Sequence, residues 1–419
     1  MTRADSWRGT SDDIPAEPCI RAALLETFEH FSKRGPRGAI DGVRTAVVLD
    51  DGTGSAWTVR LDRGRFALSE GRANDAETTI SSDPLTLVGI VRGKRSGIDA
   101  FLRGRLSVRG NLSLALKLDG IFDRRERPSS RARPGRIVAN GVDTFYLDAG
   151  SGPPVVVLHG LGASNASMLP TLQALADDHR VLAPDLPGFG DSEKPHAAYD
   201  PAFYARWLGA FLDAVGVSKA SIVGNSMGGR VAIEMALVAP ERVTKLALLA
   251  PSMAFRRFRQ AVPIVRFLSP EMAALPLPFL RSHTHRGLRL LFARPDRLHH
   301  SWYEAAVDEF LRIFRTPRGR VSLFAAARQI YLERPFGPNG FWTRLERLRV
   351  ESLFIWGDRD RLVPAAFAKH VEALLPNAVS EVLADCGHVP QFELPVETHD
   401  SIKRFFAEGA ARATRHARA

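Results

Sequence analysis

The sequence predicts an α/β protein: a mostly parallel sheet of eight strands under a helical cap, preceded by a small α+β domain. Three observations carry this. After residue 136, strand-like and helix-like segments alternate, the pattern of βαβ crossovers. Val155-Val156-Val157-Leu158 is apolar without a break, as a strand covered on both faces must be. The apolar run at 220–223 leads through Gly224-Asn225-Ser226-Met227-Gly228 into a helical segment at 230–236. That context is strand, sharp turn, helix, and it pushes the serine hydroxyl out beyond the sheet edge.

In chain order, residues 1–18 are polar and are expected to form a poorly ordered terminus. Residues 19–122 read as the small domain. Ile20, Ala23, Leu24, Phe28 and Phe31 share a helical face. Strands are expected at 45–49, 57–61, 65–68 and 78–81. Asp83 and Pro84 supply an N-cap and a first-turn proline for a helix that runs through Val91 to Gly93. A short helix at 97–103 closes on Gly104, and Leu106 and Val108 belong to a last strand. Leu112, Leu114, Leu116 and Leu118 alternate like a strand, yet Leu114, Leu118, Ile121 and Phe122 also fit one helix face; periodicity leaves both open.

Residues 123–136 are rich in Arg, Pro and Ser, a linker composition. The larger domain is expected over 137–410, with strands at 137–140, 144–147, 155–158, 180–184, 220–223, 245–249, 352–356 and 380–383. Its alternation stops at about 252–344, where a Phe- and Arg-rich helical insertion forms the cap.

The composition is that of a soluble globular protein: 419 residues, 45% hydrophobic and 25% charged. The net charge of +11 reads as a solvated basic face or as contact with an anionic surface. No nucleic-acid-binding motif appears, which leaves a membrane periphery as the surface to consider. Two cysteines, Cys19 and Cys386, make no disulfide framework and point to a reducing, cytoplasmic setting. The opening residues lack the apolar core of a signal peptide, and no run of about eighteen apolar residues suggests a membrane span.

Ser226 is the candidate nucleophile. A serine hydroxyl is weak at neutral pH and needs a base within hydrogen-bond reach. His388, in Asp385-Cys386-Gly387-His388-Val389-Pro390, follows the last strand and suits that task. The third member should hold the imidazole in one tautomer. Trp356-Gly357-Asp358-Arg359-Asp360 offers two carboxylates after a strand, and no carboxylate follows the strand ending at Leu249-Ala250-Pro251. Backbone N–H groups of Met227, at a helix N-terminus, and of Leu161, in His159-Gly160-Leu161-Gly162, are the candidate oxyanion donors. Substrate contacts are expected from His159, Gly160, Asn225, Phe255 and Phe258. The remaining histidines, His283-x-His285 and His299-His300 among them, show no metal-ligand spacing, so neither metal nor cofactor is expected.

The order Ser226, acid, His388, with His159-Gly160 upstream and Asp185-Leu186-Pro187-Gly188-Phe189-Gly190-Asp191-Ser192 between, resembles the α/β-hydrolase fold over about residues 136–408. Its G-D-x-D turn implies that Asp360 rather than Asp358 serves as the acid. The resemblance implies cleavage of a carboxylic ester through an acyl-enzyme. Gly224-Asn225-Ser226-Met227-Gly228-Gly229 also resembles the carbon–carbon hydrolases of ring-fission products, but these carry an aromatic residue after the histidine where this chain has Val389. The first domain resembles the sterol carrier protein 2 lipid-binding domain over about 20–122, on Ser82-Asp83-Pro84, Gly93-Lys94 and the run from Ala100 to Asn111. That resemblance implies an apolar tunnel and a lipid-like partner. A lipid carrier whose hydrolase half only docks ligands is the alternative of another class.

Overall fold

The computed structural model describes residues 20–27, 43–63, 65–122, 132–254 and 280–416. The polar terminus, most of the interdomain linker, Phe255 and Phe258 lie outside the described residues.

The N-terminal domain holds β1 (Arg44–Asp50), β2 (Ala56–Asp62), β3 (Arg65–Glu70), β4 (Thr78–Ser82) and β5 (Leu106–Gly110) in the order β3-β2-β1-β4-β5. Its helices are α1 (20–27), α2 (Pro84–Val91), α3 (Gly97–Leu102) and α4 (Leu112–Phe122). Asp83 caps α2 as its sequence requires, the Oδ1 atom accepting from Thr86 N at 2.9 Å. The ambiguous leucines resolve as α4. Leu112, Leu114, Leu116 and Leu118 are all buried, but on two sides: three join the core of this domain, while Leu116 faces the larger one. Burial on both sides of a helix is what produced a strand-like alternation.

The larger domain is built on an eight-stranded sheet, β13-β12-β11-β10-β8-β9-β7-β6. Its strands are β6 (Arg133–Ala139), β7 (Val142–Ala149), β8 (Pro154–Leu158), β9 (Arg180–Pro184), β10 (Ala220–Asn225), β11 (Val243–Leu249), β12 (Ser352–Gly357) and β13 (Val379–Leu383). From β9 through β8 to β13 the pairings are parallel; β7 joins β9 and β6 antiparallel. Val155 to Leu158 are fully buried, each stabilising the sheet by roughly 1.5–3 kcal/mol. Helices α6 (Pro201–Ala214) and α7 (Met227–Val238) pack on one face; α5 (Leu169–Leu175) and α14 (Pro395–His416) pack on the other. The remaining helices of this domain are α8 (Arg281–Arg289), α9 (His300–Phe314), α10 (Pro317–Leu332), α11 (Phe341–Leu345), α12 (Phe367–Leu374) and α13 (Pro390–Glu393). Of these, α8 to α10 form the described part of the cap and α11 leads back toward the sheet. No helix among the described residues is long and apolar enough to cross a membrane.

One expected boundary moves. Residues 133–136 are the first half of β6, paired with Phe145 to Asp148 of β7, not linker. Their Arg-Pro-Gly-Arg composition suits an outermost strand, where a proline forfeits no ladder bond and charged side chains reach water. Gly135 lies against β7: a Cβ there would sit 2.5 Å from the Tyr146 ring.

The two domains share a packed junction. Ala305 of α9, 1% exposed, is part of the N-terminal core, while Ile98 and Leu116 are part of the larger domain's core. The ring nitrogen of Trp302 donates to Phe101 O at 2.8 Å, and Asp308 Oδ2 accepts from Gly110 N at 2.9 Å.

Candidate active site

Ser226 sits between β10 and α7 with φ 52° and ψ −114°, a strained conformation for a residue with a side chain. The surrounding glycines permit it. A Cβ on Gly224 would meet the Gly228 backbone at 2.6 Å, and one on Gly228 would meet Leu158 O at 2.3 Å. Strand and helix therefore cross too closely for any other residue. Ser252 N donates to Ser226 O at 2.9 Å, which ties the turn to the end of β11.

His388 follows β13, and its ring Nδ1 lies 2.7 Å from Asp360 Oδ2. The Asp360 side chain is fully buried, and its other oxygen accepts from Leu362 N and Val363 N at 2.7 and 2.9 Å. A carboxylate fixed by two backbone donors is a rigid orienter for an imidazole. Asp358 is exposed and accepts from Cys386 N at 3.1 Å, a loop contact away from the ring.

Ser226 and His388 line the same apolar pocket of about 250 Å³, together with Gly160, Leu161, Asn225 and Val389. The Ser226 hydroxyl is 3.4 Å from Ser252 Oγ, its one hydrogen-bonding neighbour among the described residues. The backbone nevertheless draws nucleophile and base together: Asn225 Nδ2 donates to His388 O at 3.1 Å and to Leu249 O at 3.0 Å. Turning the Ser226 side chain about Cα–Cβ changes the partner of its hydroxyl without moving this frame.

The two candidate oxyanion donors flank the serine. Met227 opens α7, where the helix dipole favours negative charge. Leu161 follows Gly160, whose α-carbon is so near the nucleophile that a Cβ would lie 3.3 Å from Ser226 Cβ. His159 is not a substrate contact. It is fully buried behind that turn, its Nδ1 donating to Gly160 O at 2.8 Å while Nε2 accepts from Leu186 N at 2.9 Å. Burial pushes its pKa down to about 4 against that bond, so the neutral imidazole shapes the loop that carries Leu161.

Several site residues had no local signal in the sequence. Glu393 accepts from Gly387 N at 2.7 Å and from Ala293 N and Arg294 N, which joins the His388 loop to the cap. Leu291 O takes the His388 amide at 2.7 Å. Phe292 and Phe310 line the pocket, whereas Phe314 is fully buried against Phe310 and Phe189. His285 and His300 approach Glu304 at 3.8 Å each, a grouping that primary structure hid, but Glu304 already pairs with Arg281 at 2.5 Å.

Comparison with known proteins agrees with this architecture. Residues 24–123 match the SCP-2 sterol transfer family, so a domain of that type precedes the hydrolase sheet. The chain is 32% identical over 267 residues to the dihydrolipoyllysine-residue acetyltransferase component of the acetoin cleaving system of Cupriavidus necator, covering 61% of this chain and 64% of that protein. It is 28% identical to 2-hydroxymuconate semialdehyde hydrolase of Pseudomonas sp. strain CF600 over 68% of this chain and 98% of that one. A crystal structure of a membrane phospholipase A superposes with a TM-score of 0.57 at 24% identity, covering 74% of this chain and 92% of that structure, a likeness of fold. Residues 153–395, more than half of the chain, match the alpha/beta hydrolase fold model, and the protein belongs to that family.

Proposed function

We propose that the protein hydrolyses uncharged, lipid-like carboxylic esters through a Ser226–His388–Asp360 triad. The observation that carries this reading is the 2.7 Å contact between His388 Nδ1 and the buried Asp360, with the imidazole and Ser226 opening on one apolar pocket. His388 Nε2 takes the Ser226 proton as Oγ attacks the ester carbonyl. The N–H groups of Met227 and Leu161 receive the oxyanion. The imidazolium then protonates the departing alcohol, and water attacks the acyl-enzyme with His388 again as base. Asp360 holds the tautomer.

The pocket wall favours this substrate class. Phe292, Phe310, Trp302 and Leu291 are among its apolar groups, and no lysine or arginine lines it among the described residues. The one carboxylate lining it among the described residues, Glu309, is already held by Arg312 at 2.8 and 3.1 Å. The second reading, carbon–carbon hydrolysis, draws support from the likeness to 2-hydroxymuconate semialdehyde hydrolase. An acidic ring-fission product would meet no cation among the described residues of this wall. A reducing cytoplasmic setting suits Cys386, which is buried and whose thiol burial pushes up to about 12.

A fluorophosphonate probe and a series of p-nitrophenyl esters test the proposal. Ser226 should be labelled, Ser226→Ala should not, and medium or long acyl chains should be preferred over acetate. An unlabelled protein, or turnover confined to dienoate ring-fission products, would overturn it.

A further inference from the structure

The N-terminal domain encloses an apolar cavity of about 40 Å³. Leu87, Ile90, Leu106 and Leu118 are among its walls, and its one ionisable neighbour, Asp119, accepts from Gly97 N at 2.8 Å. Two of its lining residues, Phe101 and Leu112, also line the pocket that holds Ser226. The two hollows meet at this pair of side chains, which line both. Both are buried, at 6% and 5% exposure, so the partition faces cavity on either side and not solvent.

We propose that the N-terminal domain forms the far end of the acyl site. The chain of an ester held at Ser226 runs against Phe101 and Leu112, and a long chain displaces the Phe101 ring and enters the cavity behind it. This rests on the ester-hydrolase reading and adds to it which element measures the acyl chain. The junction is built to hold such a partition in place. Trp302 Nε1 grips the Phe101 carbonyl at 2.8 Å, so the backbone is anchored while the ring turns about its own side-chain bonds. Ala305, beside Trp302 on α9, lines the pocket and is packed in the N-terminal core, which carries the apolar surface across the domain boundary without a break. Lys117 and Ser113 of α4 hold Asp191 of the larger domain at 2.5 and 2.7 Å, and this fixes Leu112, next to Ser113 at the start of the same helix, relative to the hydrolase sheet. The N-terminal domain contributes only apolar side chains to the pocket. The atoms that recognise the ester group come from the hydrolase turns. Such a division suits a ligand with one polar end and a hydrocarbon tail.

The test uses the full chain and two alkyl fluorophosphonates, octyl and hexadecyl, each with a diazirine on the terminal carbon. Both should attach to Ser226. On photolysis, the hexadecyl tail should cross-link to the segment 80–118, and the octyl tail to cap residues such as Phe292 or Trp302. Cross-links from the hexadecyl tail confined to the cap, or none in the N-terminal domain, would overturn the inference while leaving the hydrolase reading intact. If Ser226 reacts with neither probe, the hydrolase reading fails and the inference with it. An independent measurement is the ratio of kcat/KM for hexadecanoyl over butanoyl esters. Phe101→Ala should raise it and Phe101→Trp should lower it, each by about tenfold, since one or two methylenes of pocket length discriminate at that level. Folded variants that both keep the wild-type ratio would also overturn it.

Discussion

Lys117 Nζ lies 2.5 Å from Asp191 Oδ2, and the two side chains, 8% and 10% exposed, pin the N-terminal domain to the hydrolase sheet. Arg312 of the cap reaches the other oxygen of the same carboxylate at 2.9 Å. Asp191 is thus the point where small domain, sheet and cap meet. Its burial alone would raise its pKa, but the charges of Arg312 and Lys117 hold it well below the usual carboxylate range.

Removing that carboxylate leaves the buried Lys117 ammonium without its acidic partner, while Arg312 keeps Glu309 at 2.8 Å. Asp191→Asn should cost about 3–5 kcal/mol in denaturant unfolding. Lys117→Met should cost less, because Arg312 still neutralises the aspartate. Equal losses, or a larger loss in the lysine variant, would show that Asp191 is not the shared anchor. The same geometry argues against clean separation of the domains. A chain lacking residues 1–122 would expose Ala305 and Trp302 and strip Asp191 of Lys117.

The two carboxylates after β12 should separate kinetically. Asp360→Asn, with its amide facing His388, should lower kcat on a short ester by about 10⁴-fold while KM changes little. Asp358→Asn, whose parent carboxylate only accepts from Cys386 N, should stay within about threefold of wild type. Steady-state kinetics on p-nitrophenyl butyrate checks both, and a reversed order would transfer the acid role to Asp358.

Gly160 and Gly228 both approach the elbow, with different consequences when replaced. Gly160→Ala places a methyl 3.3 Å from Ser226 Cβ, close enough to shift the Leu161 amide by tenths of an ångström. Loss of about 10²-fold in kcat with an unchanged melting temperature is expected, as for a displaced oxyanion donor. Gly228→Ala forces a methyl to 2.3 Å from Leu158 O and should appear as unfolding instead. Thermal melts beside kinetics distinguish the two, and a Gly160 variant of full activity would count against Leu161 as a donor.

Two buried imidazoles make stability fall on acidification. His159 and His399 are each pushed down to about 4 by burial, and His399 Nε2 is 3.1 Å from Thr171 Oγ1. Between about pH 6.5 and pH 4 the unfolded chain binds a proton at each position and the folded chain does not, so stability is complete above 6.5 and is lost as pH falls. Asp185, which burial raises to about 7, opposes this with one proton taken up by the folded state, and the two histidines outweigh it. Melting temperature should drop steadily from pH 7 to pH 4. His399→Gln should flatten that slope, and an unchanged slope would mean that His399 is protonated in the folded protein.

The central strands β8, β11 and β12 were legible because a buried parallel strand is written locally, as a short run of consecutive apolar residues. The outer strands are written differently: β13 is half exposed, and β6 is an edge whose Arg and Pro residues read as linker. The helix at Leu112–Phe122 could not be told from a strand, because it buries residues against two domains at once and so loses its one-sided pattern. Phe292 and Phe310 line the pocket while Phe314 is core, since an aromatic's identity says nothing of which way it faces.

The sequence by itself determined the hydrolase sheet, the strained serine turn and the residue types of the proposed triad. These follow from short stretches in which backbone sterics and burial leave few choices. Only the tertiary structure decided that His159 supports a loop instead of touching substrate, that Glu393 ties the histidine loop to the cap, and that Phe101 and Leu112 stand beside the Ser226 pocket. Several of these contacts join residues far apart along the chain, and they depend on how finished surfaces pack, which no local pattern of polarity encodes.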